Sequence, residues 1–246
     1  MLRLNETQQI ERDSGRRTSS MENRLIAALP REDGAALAAL AQPMTLRAGE
    51  PAVVAGGAAV LWLPDTAVLS FGETLAERNV ECGIVGAEGA IGWEPLIGLP
   101  QSNQRVAALV GGSLHAIPCG QAAALCDQRP AILAHLLRYR ETLLIQMRWT
   151  IAARLQNGPD RRLARWLCML HDRVEGDTLD ITHLRLAAFL NARRASITDS
   201  LHVLEGERIV RCTRGKIFVR DRGALEAAAG PAYGPAEAAY AALFER

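Results

Sequence analysis

The run from Arg129 to Asn157 constrains the fold most: after Pro130 it holds neither glycine nor proline, and Gly158-Pro159 ends it. Proline suits a first helical turn, where a missing N–H costs no hydrogen bond, and a Gly-Pro pair stops a helix. The spacing predicts a single helix over 129–157. Leu137, Leu144 and Ile151 recur at seven-residue intervals, Leu133 and Met147 join at offsets of three and four, and Leu136, Leu143 and Ile145 widen the apolar surface. One packing face needs less than this. The helix is therefore expected to lie on its own domain with one side and on a partner helix with the other, through Leu133, Leu137, Leu144, Met147 and Ile151. A helix simply buried within a monomer is the competing reading.

The chain differs on the two sides of that helix. Residues 1–20 are polar, lack hydrophobic period and read as a disordered tail, which leaves Met21 as an alternative start to Met1. Leu25, Ile26 and Leu29, then Leu37 and Leu40, suggest two short helices broken around residues 30–34. From Met44 to Gln121 short apolar or alternating runs follow at Thr45–Arg47, Val53–Val54, Val60–Leu63, Val68–Phe71, Val80–Val85, Val106–Val110 and Leu114–Ile117, with glycine between them. That texture predicts about seven strands in a small barrel or β-roll. The expected class is α+β: tail 1–20, β-roll 21–128, long dimerisation helix 129–157, a helical module with a wing at 158–230, and a C-terminal tail 231–246. In that tail Tyr233, Tyr240 and Phe244 surround a Gly/Pro break and suggest a short helix packing back.

Charge is segregated along the chain. Residues 1–150 carry 13 Arg or Lys against 15 Asp or Glu, residues 151–223 carry 14 against 9, and residues 224–246 carry 1 against 3. A basic module joined to a near-neutral half suggests a sensing or scaffold part coupled to one that meets a polyanion; a merely solvated basic face is the alternative.

Within that module Arg161–Val174 reads as an amphipathic helix with Leu163, Trp166, Leu167 and Leu170 inward. Residues 181–201 then have the spacing of two short helices crossing at a tight turn. Thr182 suits the first N-cap, small Ala187 permits close approach, and Leu186, Leu190, Ala192, Ile197 and Leu201 fill the wedge between the helices. Asn191 stands at the turn, where a left-handed backbone is usual and only glycine tolerates it better. The second helix presents Arg194, Ser196, Thr198, Asp199 and His202 opposite Ile197, Leu201 and Leu204, groups suited to base edges and phosphates in a major groove. Ile209–Cys212 and Lys216–Val219 flank Thr213-Arg214-Gly215 and predict a two-stranded wing, with Arg214 and Lys216 at its tip for phosphates. Double-stranded DNA is the expected partner.

Other classes find less support. The five cysteines form no C-x-x-C, as for reduced thiols packed as small hydrophobes, and no metal or cofactor site is expected. No H-E-x-x-H, nucleophile elbow, phosphate loop or Cys–His arrangement suggests an enzyme. The glycines at 86, 89 and 92 read as turns. No apolar run is long enough for a membrane span, and the polar N-terminus lacks a signal core, so a cytoplasmic protein is expected. A protein-interaction or signalling module whose helix-turn-helix no longer reads DNA is the main alternative.

The β-roll texture, the long helix, Arg162–Leu167 (RLARWL), Ile181–Ala187 (ITHLRLA), Arg193–Thr198 (RRASIT) and Arg214–Ile217 (RGKI) together resemble the bacterial Crp/Fnr superfamily of transcription regulators. The resemblance covers about residues 22–225. It implies a cyclic-nucleotide-binding-like double-stranded β-helix, a homodimer on a two-fold-related DNA site, RNA polymerase as a further partner, and a small-molecule effector that repositions the DNA-binding domains. It also places Arg194 at the first recognition arginine, Asp199 where catabolite activators have a second base-reading arginine, and Arg193 where a Ser or Thr cap is common. In the roll, Gly89, Gly92 and Arg105 fall in the effector segments and Arg105 matches a phosphate-binding arginine. Ala90 replaces the sugar-binding glutamate and Val106 the hydroxyl donor, so cyclic AMP is not the expected effector. Arg105 could hold another anion or cap a turn. Residues 1–40 lack the cysteines of an iron–sulfur sensor, and His115 and His135 are the histidines that a haem would need.

Overall fold

Short apolar runs separated by turn residues pair into two antiparallel sheets in the computed structural model, which describes residues 21–54, 57–75, 78–101 and 104–243. The expectations for 1–20 and Phe244 lie outside those residues. Two short helices, α1 (Arg24–Ala27) and α2 (Arg31–Ala38), precede six strands: β1 (Gln42–Leu46), β2 (Val60–Pro64), β3 (Val68–Leu75), β4 (Arg78–Val85), β5 (Arg105–Val110) and β6 (Gly112–Pro118). One sheet has the order β1-β6-β2 and the other β4-β3-β5, with every neighbour antiparallel. Leu61, Leu63, Leu69, Phe71, Leu114 and Ile117 fill the space between them.

Val53–Val54 does not form the expected strand. Pro51 makes only an isolated bridge to Ala107, and Val53 is left 65% exposed. Ala52 N still donates to Val106 O at 2.9 Å, and the backbone leaves β5 after it, so Val53–Val54 stays outside the sheet. The sequence also concealed a helix, α3 (Cys119–Gln128), which buries Cys119, Ala122 and Cys126 against the roll.

Helix α4 runs from Pro130 to Gln156, 27 residues, close to the predicted span. Its buried face mixes Ile132, Leu136, Tyr139 and Leu143 with His135, Thr142, Gln146 and Thr150. The polar members are satisfied. Gln146 accepts from Ile84 N at 3.0 Å and donates to Ile84 O at 3.2 Å, so a side-chain amide completes the backbone of strand β4. The opposite side carries Leu137, Ile151 and Leu155, exposed by 37%, 59% and 77%.

Helix α5 (Pro159–His171) departs from the one-sided pattern expected of it: every residue from Leu163 to Leu170 is buried. It is enclosed by the helix-turn-helix on one side and by α8 (Arg222–Ala229) on another. Arg165 is buried there with each guanidinium nitrogen making a bond, to Ala232 O, Thr150 Oγ1 and Gln146 O. The second core, around α5, also takes in Val68, Ile84 and Leu109 from the outer face of the β4-β3-β5 sheet. After α8 a 3-10 turn (Gly230–Ala232) leads to α9 (Pro235–Ala241), which packs on α4, Tyr240 meeting Tyr139 edge-on at 6.5 Å. The C-terminal segment thus forms a short helix that packs back, as its Tyr233 and Tyr240 suggested. Among the described residues no helix is long and apolar enough to cross a membrane.

Candidate DNA interface

Two helices cross over the α5 core: α6 (His183–Leu190) and α7 (Arg194–Gly206). Thr182 Oγ1 accepts from Arg185 N at 3.3 Å and caps α6. At the turn Asn191 adopts φ 47°, ψ 51°, the left-handed conformation expected of it. Leu186, Leu190, Ile197 and Leu201 are buried between the helices, and Phe189 lies 5.2 Å from Trp166, ring to ring.

Helix α7 turns Arg193, Arg194, Asp199 and His202 to solvent, and Val203 joins them at 48% exposure. Arg193 is the N-cap and makes no side-chain capping bond, so the first N–H groups of α7 remain open to water or an anion. Ser196 and Thr198 are half-buried. Thr198 Oγ1 donates to Arg194 O at 3.1 Å and lies 3.1 Å from His183 Nδ1, so it braces α7 against α6 while the arginines reach outward. Burial, reinforced by Arg194 and His202, lowers the His183 pKa.

Strands β8 (Val210–Thr213) and β9 (Lys216–Val219) form the wing, with Arg214-Gly215 as its two-residue tip and Arg214 exposed. The wing has three strands and not two: β7 (Thr178–Leu179) pairs with β9. Lys216 Nζ sits 3.3 Å from Asp180, which partly offsets its charge. The sequence reading passed over His183, Val203 and Arg211, all on this side of the module or its wing. Their positions follow from how α6, α7 and β8 pack, which periodicity alone does not give.

The effector candidates are separated. Gly92 and Arg105 line a roll cavity of about 320 Å³ with Val54, Val60, Trp62 and Gln101. Gly92 has φ 93°, and a Cβ there would strike Val60 O. Gly89 lies elsewhere, under the Tyr139 hydroxyl, which leaves no room for a Cβ. Arg105 Nη1 is 2.9 Å from Glu81 Oε1, whose side chain is 7% exposed. Burial raises the Glu81 pKa and Arg105 opposes that shift. Ala90 is 1% exposed and offers the cavity no carboxylate. His115 Nδ1 lies 2.8 Å from Asp65 Oδ2, and His135 Nε2 is 2.8 Å from Leu25 O, so both rings have structural partners. Burial pushes the Cys119 thiol up to about 11 and Cys168 up to about 12, as befits protonated core thiols.

The dimer candidates also divide. Leu137 and Ile151 are exposed and Leu144 is half-buried, whereas Leu133 and Met147 are partly covered by the roll's own core.

A β-roll, a long helix and a winged helix-turn-helix follow one another along the chain. Residues 161–228 match the Crp-like helix-turn-helix domain. Similar solved structures include a CRP-family transcriptional regulator from Thermus thermophilus (TM-score 0.64, 18% identity, 78% of this chain and 98% of that one). A CRP/FNR-family transcriptional regulator from the same organism aligns with TM-score 0.61 and 20% identity over 76% of this chain and 98% of its own. The c-di-GMP-responsive global regulator CLP of Xanthomonas campestris gives 0.63 and 15% over 77% and 99%. No curated protein matches the chain in sequence. The chain has the Crp/Fnr fold and carries a Crp-like helix-turn-helix domain.

Proposed function

We propose that the protein is a sequence-specific transcription regulator that binds a two-fold-related DNA site as a homodimer. The observation that carries this reading is the row Arg193, Arg194, Asp199 and His202 along the exposed side of α7, flanked by Arg214 at the wing tip. Arg194 reads a guanine edge, for which a guanidinium has the matching pair of donors. Asp199 accepts from a cytosine amino group. Arg193, Arg214 and Lys216 meet phosphates and set the register. Two copies join along α4 through Leu137, Leu144 and Ile151.

The roll cavity accepts an effector other than cyclic AMP. Arg105 has its charge matched by Glu81, and the position of the ribose-binding carboxylate is taken by buried Ala90. These features support a ligand that does not depend on a cyclic phosphate.

Selection of bound duplexes from a random pool by the purified protein tests the reading. Enrichment of a two-fold-related motif is the expected outcome, directly or after addition of cell extract that supplies the effector. Failure under both conditions would sink it and favour the interaction-module alternative.

A further inference from the structure

The end of α4, the first half of α5 and the last turn of α6 meet around a small cavity. Thr150, Ala153 and Arg154 line it from α4, Arg162, Arg165 and Trp166 from α5, and Leu190 from α6. It straddles the joint at Asn157-Gly158, where the long helix gives way to the DNA-binding module. Three of these residues are arginines, and among the described residues none of the lining groups is acidic.

The arginines bond to neutral oxygens. Arg154 Nη2 donates to Glu81 O at 2.8 Å and to Phe189 O at 3.4 Å, and Arg162 Nη2 donates to Leu190 O. Arg165 Nη1 donates to Thr150 Oγ1 at 3.1 Å and Nη2 to Gln146 O at 3.3 Å. Among the described residues none of the three forms an ion pair. Arg162 Nε is buried and has no hydrogen-bond partner there either. A buried donor without an acceptor is costly, and more so on a charged group.

The opposing negative charge is small. Phe189 O and Leu190 O end α6 and carry the equivalent of about half a charge, against three guanidiniums. Two carboxylates act from outside the cavity, Glu81 on Arg154 and Glu237 on Arg165, and Glu81 is already paired with Arg105 at 2.9 Å. Arg162 gains no such support: burial and Arg154 both lower its pKa.

We propose that this cavity binds a monoatomic anion of chloride size, with the Arg162 Nε–H as its donor and the charges of Arg154 and Arg165 around it. The cavity holds about 10 Å³, room for one particle of water or halide size and too little for phosphate, sulfate or an organic acid. Water would satisfy the Nε–H but leave the gathered cations uncompensated; a halide does both. Because α4, α5 and α6 all contribute, the bound ion fastens the helix-turn-helix to the long helix across the joint. The site is independent of DNA recognition and of the roll cavity.

Chloride NMR of the full chain tests it, with sodium chloride titrated against sodium gluconate at constant ionic strength. Line broadening that saturates is expected, and crystals grown in sodium bromide should show an anomalous peak beside Arg162 Nε. Ala153→Leu fills the cavity without changing the charge and should abolish the saturable broadening. Arg162→Gln removes the unpaired donor and should weaken binding by about tenfold or more. Arg161→Gln makes the same charge change on the exposed neighbour and should leave binding intact. If Ala153→Leu fails to fold, the comparison of Arg162→Gln with Arg161→Gln decides. Broadening that never saturates, equal weakening in those two variants, or water in place of bromide would each overturn the proposal. So would a bromide peak without saturation in solution, which would mark an adventitious ion only.

Discussion

Asn191 turns the chain between α6 and α7 in a left-handed conformation that glycine accepts freely and asparagine tolerates. Asn191→Ala should therefore cost about 1–2 kcal/mol in urea unfolding, while Asn191→Gly should cost little. Arg194→Ala, on the proposed reading, costs about 1–3 kcal/mol at one base position and relaxes specificity there; equal loss on every duplex would make Arg194 a phosphate contact. His183 introduces a pH term. Its folded pKa lies below the ordinary 6.5 because of burial, Arg194 and His202. The unfolded chain takes this proton first as the pH falls. The residue's contribution is thus complete above pH 6.5 and is lost as the pH drops toward the folded value. His183→Asn should remove that part of the slope in urea unfolding measured on either side of pH 6.5. Asn191 and the Thr182 cap were legible because local backbone chemistry selects them. The Thr198–His183 contact was not, since it joins two helices whose crossing had to be known first.

At the scale of elements, α4 is the informative case. Its inward face is rich in polar side chains that find partners in β4, α1 and the helix itself, and its outward face sets Leu137, Ile151 and Leu155 among the exposed Arg138, Glu141 and Arg148. The heptad spacing of Leu137, Leu144 and Ile151 predicted a second surface; Leu137 and Ile151 are exposed and Leu144 is half-buried within the chain, and the sequence could not tell which side met the roll. Ile151→Arg, at a position 59% exposed within the chain, should produce monomers in sedimentation with little change in the chain's own packing. Leu144→Arg should do the same. A dimer persisting in both variants would refute the α4 seam. The wing shows the same division: its hairpin was readable from alternation around Arg214-Gly215, while its third strand, Thr178–Leu179, is too short to announce itself.

At the scale of the molecule, the roll and the DNA-binding module share a core and a set of arginine ties. Val68, Ile84 and Leu109 pack with α5 and its neighbours. Arg185 of α6 donates to Ala108 O at 3.0 Å. Arg154 of α4 donates to Glu81 O at 2.8 Å and to Phe189 O at 3.4 Å. These contacts predict joint unfolding. Leu109→Ala, at a position 1% exposed, should cost about 2–5 kcal/mol and lower hydrogen-exchange protection in β3 and α6 together. Loss confined to one half would show two independently stable units.

The sequence by itself determined the elements whose causes are local: the long helix between Pro130 and Gly158, the glycine-punctuated strands, the cap at Thr182, the turn at Asn191 and the wing tip. These follow from backbone freedom and hydrophobic period within a few residues. Tertiary structure alone decided what depends on distant groups meeting. It set Arg105 against Glu81, drew Gly89 under Tyr139 and away from Gly92, enclosed α5 from Leu163 to Leu170, and returned α9 to α4 to close a cavity around Arg173. In each case a buried polar or crowded group takes its partner from another element, and period and propensity within one segment carry no record of that partner.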